Sequence, residues 1–431
     1  MNVCVICDSF PPTAGGSETH TSSVAKYLRE RGHLVSVVAL RPGKDALIRN
    51  GYDETMIKAL SREKMFLDEL GDIPIYNIVA SRGIRHSLLA VRKRIRELAR
   101  AKPINVFDVH QVFLLTVVAL MRGRVIFSDH LYDLCCPLGG FPSKFMPDYF
   151  TLEPSNQFFS YRKCVIKKRC VDSVGYLKWR AARLYATYRI DTVIVKTMDR
   201  YRIFLKTGWS PEKIALVPYW INADHINDEC RKNRDSMRKI LPWLAPSDIV
   251  VGFIGRLDDC KNPILLLKAF KILDEKLSNV KLMYVGHGPL RGELEKLTVA
   301  YGLQSKVFIT GKVIHEDIAR YLSILDIVAH TQRYSNYGWA LLETMAAAKP
   351  IVATDAGRET REILRDGYNA LLVRPDPESL ASGLTKLIEN PSLAKTIGEN
   401  AFKSVKVRHG YENIEKYERI MLDLLAKHPL S

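Results

Sequence analysis

From Ile249 onward the chain alternates without a break between short apolar runs and amphipathic stretches, and this pattern constrains the fold more than any other feature of the sequence. IVVGFIG (Ile249–Gly255) leads through PILLLKAFKIL, VKLMYVG, LRGELEKLTVAYG, KVFIT, HEDIARYLSIL, DIVAH and GWALLETMAAA to KPIVAT. Nearly all-apolar short runs read as strands buried on both faces, and the segments between them carry helical spacing. Such alternation predicts a parallel sheet covered by helices on both sides. A similar block opens the chain. NVCVIC is followed by a helical pattern with Val24, Tyr27 and Leu28 on one face, then Gly32, then the strand-like LVSVVAL (Leu34–Leu40). Two blocks in 431 residues predict two doubly wound domains, with the boundary in the polar, charged stretch Asn222–Ser247. Open α/β sheets bind ligands beyond the carboxyl ends of their strands, so facing domains would place an active site in the cleft between them. Arg41–Lys102 and Leu134–Arg189 fit the alternation poorly and read as insertions.

Chemistry is therefore sought at strand ends. The first such loop, PPTAGGSETH (Pro11–His20), sets Gly15 and Gly16 before a helix, where backbone can approach a phosphate closely. It lacks the full dinucleotide fingerprint, which argues against a nicotinamide dehydrogenase. GRLDDCKN (Gly255–Asn262) puts Arg256 and Lys261 beyond a strand, either as a clamp on a diphosphate or as two surface cations. In YGWALLETMAAAKPIVATDAG (Tyr337–Gly357), Glu343 sits two turns into a helix starting near Gly338. It could accept both hydroxyls of a ribose, or be an ordinary solvated helical glutamate. The aspartates of LDD (Leu257–Asp259) are adjacent loop residues and do not make a metal site.

Together GGSE, GRLDDCKN, VGHGPLRGEL, GWALLETMAAAKPIVAT and GYNALLV resemble glycosyltransferase family 4, in family order and at family spacing. The likeness covers most of Met1–Leu40 and nearly all of Ile249–Leu387. It implies the GT-B fold, two facing Rossmann-like doubly wound domains with an interdomain cleft. Residues 1–222 would form the acceptor-binding domain, with insertions at about 41–102 and 134–189. Residues 223–405 would bind the nucleotide-sugar, and 406–431 would form a C-terminal helix that packs back on the first domain. The implied activity is hexosyl transfer from a nucleotide-diphosphate sugar with retention of configuration. Arg256 and Lys261 would hold the leaving diphosphate, Glu343 the ribose, and Gly15 and Gly16 the phosphate from the opposite domain. Tyr337, Gly338, Trp339 and Ala340 would line the donor site at the helix start. The family's first glutamate of a pair is Ser335 here, which keeps a hydroxyl but loses the charge facing the donor sugar. Its boundary motif reads PYWIN (Pro218–Asn222), and its second-domain glycine-pair loop reads AGRETRE, with Gly357 kept, the next glycine gone and Glu362 retained. VIFSDHLYD (Val125–Asp133) resembles the strand-end histidine segment and places His130 near the reacting sugar. His110, ending NVFDVH, is the second candidate, and His20 reads as a helix-surface residue. No metal or other cofactor is implied, because the two cations take the part of a divalent ion.

Rival classes follow from the same motifs. A GT-B sugar-nucleotide epimerase would keep the clamp but need paired acid and base carboxylates. A catalytically silent glycosyltransferase-like protein is suggested by Ser335. A nucleic-acid-binding protein is suggested only by charge. Lys and Arg number 64 against 47 Asp and Glu, a formal net charge of +17 that needs an anionic partner. Zinc-finger spacing, RNA-binding aromatics and a basic zipper are all missing, which disfavours nucleic acid. The candidates left are the nucleotide-sugar and an anionic membrane surface beside a glycan or lipid-linked acceptor. IRHSLLAVRKRIRELARAK (Ile84–Lys102) sets Leu88, Val91, Ile95 and Leu98 on one face among many cations. It is either a helix packed on the core or an interfacial helix facing anionic lipid. The longest apolar run, Val112 to Met121, falls short of the ~18–20 residues that span a bilayer. Met1 leads straight into VCVIC with no basic leader, so the expected location is cytoplasmic, peripheral on the membrane face. Eight cysteines do not form a disulfide scaffold. Cys135, Cys136, Cys164 and Cys170 cluster, as zinc ligands or as buried thiols in an insertion.

Overall fold

The computed structural model describes residues 1–8, 10–11, 16–49, 54–62, 64–65, 71–79, 84–111, 114–118, 121–129, 184–333 and 337–427. The chain divides into two compact units, Met1–Tyr219 joined by the C-terminal helix Glu412–Lys427, and Trp220–Tyr411. The divisions fall at 219/220 and 411/412 rather than at 222 and 405.

The first unit is built on strands β1 (Asn2–Cys7), β2 (Leu34–Arg41), β3 (Lys64–Met65), β4 (Ile75–Val79), β5 (Val106–Val109), β6 (Arg124–Ser128), β7 (Thr192–Val195) and β8 (Ile214–Leu216). They form one sheet in the order β3-β4-β2-β1-β5-β6-β7-β8. Every pairing is parallel except β3 with β4. β1 is central and, after Asn2, wholly buried, as its apolar run requires. The helix Gly16–Glu30 buries His20, Thr21, Val24, Ala25, Tyr27 and Leu28 along one stripe. Gly32, at φ 83°, ends it, and His33 N–H donates back to Leu28 O at 3.0 Å.

The helix Ile84–Ala101 settles one of the open choices. Val91 and Ile95 lie in the core, with Leu88 and Leu98 packed against it. Its apolar stripe is spent on β2 and β4 and is not available to lipid.

The second unit holds β9 (Ile249–Ile254), β10 (Val280–Val285), β11 (Val307–Ile309), β12 (Ile327–His330), β13 (Ile351–Thr354) and β14 (Leu371–Val373). All pairings are parallel, in the order β11-β10-β9-β12-β13-β14. Alternate residues serve opposite faces. Val251, Phe253, Leu282 and Tyr284 join one core with the helices Pro263–Asp274 and Pro377–Glu389. Val250, Ile254, Met283 and Val285 join the other with the helices Ala223–Lys239 and Ile318–Ile324. The expected boundary stretch Asn222–Ser247 is thus mostly helix inside this unit. Its sparse stripe of Ala223, Asn227, Cys230 and Met237 is buried, while its other faces are polar enough to read as linker.

Candidate active site

The sheet of the second unit reverses its strand order between β9 and β12, and the loops after these two strands meet at their carboxyl ends. After β9, Gly255 takes φ 140° and the chain turns through Arg256–Asn262. This turn interlocks with the loop after β10. Leu257 N–H donates to His287 O at 3.1 Å, and Leu290 N–H to Leu257 O at 2.9 Å. A Cβ on Gly286 would lie 2.0 Å from Gly255 O, and one on Gly288 2.4 Å from Leu257 O, so the approach requires glycine at both.

Asp258 fastens the turn internally. One carboxylate oxygen accepts from Lys261 N–H at 3.0 Å and the other stands 3.4 Å from Arg256 Nε. Asp259 stands 3.5 Å from Arg333 Nη2. Both aspartates thus face cations or backbone of the two loops. Lys261 Nζ donates to Gln332 Oε1 at 3.1 Å. The Thr331 hydroxyl lies 2.9 and 3.0 Å from the carbonyls of Lys261 and Asn262, and Arg333 N–H donates to Cys260 O at 2.9 Å. These contacts bind the two strand ends to each other and aim the lysine. A Cβ built on Gly338 would sit 3.8 Å from Lys261 Nζ, which puts the amine beside the start of the next helix. Arg256, with its side chain 66% exposed, reaches into solvent from the same turn.

That next helix is Trp339–Ala346, capped by Gly338 in an extended conformation. Tyr337 and Trp339 are buried and Ala340 is half-buried. Glu343 is only 4% exposed, so the solvated-glutamate alternative is wrong. Its Oε1 stands 3.2 Å from Nδ1 of His315, on the turn His315–Asp317 beyond β11. Burial pushes the carboxyl pKa up, and the neighbouring imidazole pulls it partly back. His330, at the end of β12, is held neutral: burial and the nearby Lys261 charge push its pKa down to about 3. Its Nε2 lies 3.2 Å from Thr344 Oγ1, whose own proton goes to Ala340 O at 2.6 Å, so His330 donates.

Arg256, Lys261, Gly338 and Glu343 are thus gathered at one end of one sheet. Gln332, Thr331 and His315 join them and were not singled out from sequence. The polar triplet closing DIVAHTQ, directly after a buried strand, is a signal that could have found the first two. Ser335, Gly15 and His130 lie outside the described residues, as do Cys135, Cys136, Cys164 and Cys170. Among the described residues no group of three or more His, Cys, Asp and Glu side chains is placed to share a metal ion.

In the first unit, Gly16 is exposed as the first residue of its helix. His110 is buried, with Nε2 3.2 Å from Asp108 and Nδ1 3.3 Å from Thr21 Oγ1. His20 is 1% exposed and 3.1 Å from Lys196 Nζ, which corrects its reading as a surface residue. Its helical face turns inward because Lys196, Tyr219 and Tyr417 close over it.

Two family profiles match the chain. One, described as glycosyltransferase family 4, covers residues 14–225, and the other, glycosyl transferases group 1, covers 236–404. The alpha-D-kanosaminyltransferase of Streptomyces kanamyceticus is 28% identical over 251 residues, 57% of this chain and 63% of that protein. The chain therefore spans less than two thirds of that relative's length. The human phosphatidylinositol N-acetylglucosaminyltransferase contributes a second relative, one of its subunits, 23% identical over 97% of this chain and 75% of its own. Among solved structures, Anabaena Alr3699/HepE in complex with UDP and glucose superposes with a TM-score of 0.69. That match has 20% identity and covers 98% of this chain and 99% of the other. With two α/β units and both profiles matched along the sequence, the chain belongs to the glycosyltransferase family 4 enzymes of the GT-B fold.

Proposed function

We propose that this protein is a retaining glycosyltransferase that moves a sugar from a nucleotide-diphosphate sugar to a glycan or lipid-linked acceptor. The observation that carries the reading is the placement of Lys261 Nζ. It is tethered by Gln332 at the reversal point of the sheet, beside the N-terminus of the helix that buries Glu343. A fixed ammonium, a solvent-reaching guanidinium and a helix start together suit the diphosphate of a leaving nucleotide. Glu343 suits the ribose hydroxyls. The anomeric C–O bond to the diphosphate breaks as the acceptor oxygen bonds on the same face, and the acceptor proton passes to the departing phosphate oxygen. Arg256 and Lys261 offset the charge developing there, so the proposal needs no divalent ion.

HepE was solved in complex with UDP and glucose, and the human relative's name includes a phospholipid. Both fit the substrate classes proposed here. The test is mass spectrometry of product formed from a panel of uridine and guanosine diphosphate sugars, with wild type and Lys261→Ala. Charge-assisted bonds to phosphate contribute ~1.5–3 kcal/mol each, so the variant should lose at least about tenfold in turnover or donor affinity. Full activity in Lys261→Ala would sink the clamp. Activity lost in chelator and restored by magnesium or manganese would sink the metal-free mechanism.

A further inference from the structure

Glu343 is a buried carboxylate that must stay ionised and correctly turned if it is to take ribose hydroxyls, and one side chain is placed to do both. His315 Nδ1 stands 3.2 Å from Oε1. Among the described residues the Cys230 thiol, on the helix Ala223–Lys239, also couples to Glu343, and burial keeps it protonated by pushing its pKa up to about 11. The imidazole is therefore the group that compensates the carboxylate. It comes from the turn beyond β11 while the glutamate sits in the helix Trp339–Ala346, and its side chain is 43% exposed, so the pair opens to solvent on the imidazole's side. An ionised carboxylate has about four lone-pair sites on two oxygens. With Oε1 turned toward the imidazole at 3.2 Å, the lone-pair sites directed away from it remain for a vicinal diol.

We propose that His315 is a positioning residue for ribose recognition, fixing the Glu343 carboxylate so that it selects a ribonucleoside diphosphate over its 2′-deoxy counterpart. This rests on the donor-site reading above. The imidazole does not touch the phosphates in this scheme. Its loss should erase the preference for ribose while leaving diphosphate-driven binding.

Calorimetry with UDP, GDP, dUDP and dGDP tests it on wild type, His315→Ala, His315→Asn and Glu343→Gln. Wild type should prefer the ribonucleotide by about tenfold, the scale of one charge-assisted hydrogen bond. His315→Ala should bring the ratio within about twofold while still binding the diphosphate. His315→Asn, which keeps an N–H donor near the Nδ1 position, should restore most of the preference. Adding His315→Ala to Glu343→Gln should change the ratio no further, because the two act as one unit. A tenfold preference retained in His315→Ala, or no preference in wild type, overturns the inference. A wild type that binds neither UDP nor GDP overturns the donor-site reading itself. If His315→Ala does not fold, His315→Phe, which fills the same space without a ring nitrogen, takes its place, and a tenfold preference retained there overturns the inference.

Discussion

Lys196 places an amine where water does not reach, and at the scale of single residues it is the clearest source of pH dependence. Its Nζ lies 3.1 Å from His20 Nε2 and over the rings of Tyr219 and Tyr417, at 5.3 and 5.4 Å from their centres. Asp108, Asp129 and Arg200 also act on it, and burial, the largest effect, lowers its pKa from 10.5 to about 7. Between those values the unfolded chain holds a proton that the folded chain has released, so stability rises with pH across that window. Below about pH 7 both states are charged and the full penalty of the buried ammonium applies. Lys349, pushed down to about 8 mainly by burial, acts in the same sense. Lys196→Met should therefore flatten, without abolishing, the rise in urea stability between pH 7 and 8.5, and should gain most at the acid end. Parallel pH slopes for variant and wild type would count against this account. Little of the cluster was legible beforehand. His20 meets partners far away in the chain, and a helical stripe that includes a histidine looks like surface until those partners are known.

Elements were far more legible than residues, for a physical reason visible in β9, β10 and β12. A strand buried on both faces must be apolar throughout, and that pattern survives without any partner information. The short β3 and β4 escaped notice because β4 carries the buried polar Asn77, whose side chain holds Arg41 and the Arg62 carbonyl. The helix Ala223–Lys239 is not legible in the pattern because its buried stripe is sparse, four residues with the polar Asn227 among them. In the candidate site, the strand-end motifs were legible but the Lys261–Gln332 bond was not, since it joins loops 71 residues apart. The helix Ile84–Ala101 offers a test of how element and charge divide their work. Ile95 is fully buried, so Ile95→Ala should cost about 3 kcal/mol through lost burial and a residual cavity. Arg96→Gln and Arg100→Gln, on the exposed side, should each stay within about 0.5 kcal/mol. Denaturant midpoints of the three variants check both halves, and a large loss in either arginine variant would show the cations serve the fold.

For the whole molecule the quantity still to be accounted for is the excess of charge, +17 over 431 residues, far more than a diphosphate clamp requires. We propose that part of it holds the protein at an anionic membrane face, bringing it to a lipid-linked acceptor. No helix among the described residues is long and apolar enough to cross a membrane, and the attachment proposed is electrostatic. The helix Ile84–Ala101 has already spent its apolar stripe on the core, which excludes insertion by that face and leaves its cations. Lys93, Arg96, Arg100 and Lys102 are exposed there, whereas Arg94 is drawn away to Glu97 at 2.9 Å and to the Tyr76 ring. Each basic residue near an anionic leaflet contributes ~1 kcal/mol, so four give weak, reversible binding that salt should abolish. Co-sedimentation with phosphatidylserine-containing vesicles should therefore recover the protein at low salt and lose it as salt rises. Neutral vesicles should recover little at any salt. Replacing Lys93, Arg96 and Arg100 together by glutamine should weaken recovery on anionic vesicles while leaving nucleotide binding intact, since none of the three lies in the unit that carries Lys261 and Glu343. Equal, low recovery on anionic and neutral vesicles at low salt would defeat the membrane proposal and leave a soluble, acidic acceptor as the reason for the charge. Strong recovery that ignores salt would also defeat it, because apolar insertion rather than these cations would then hold the protein.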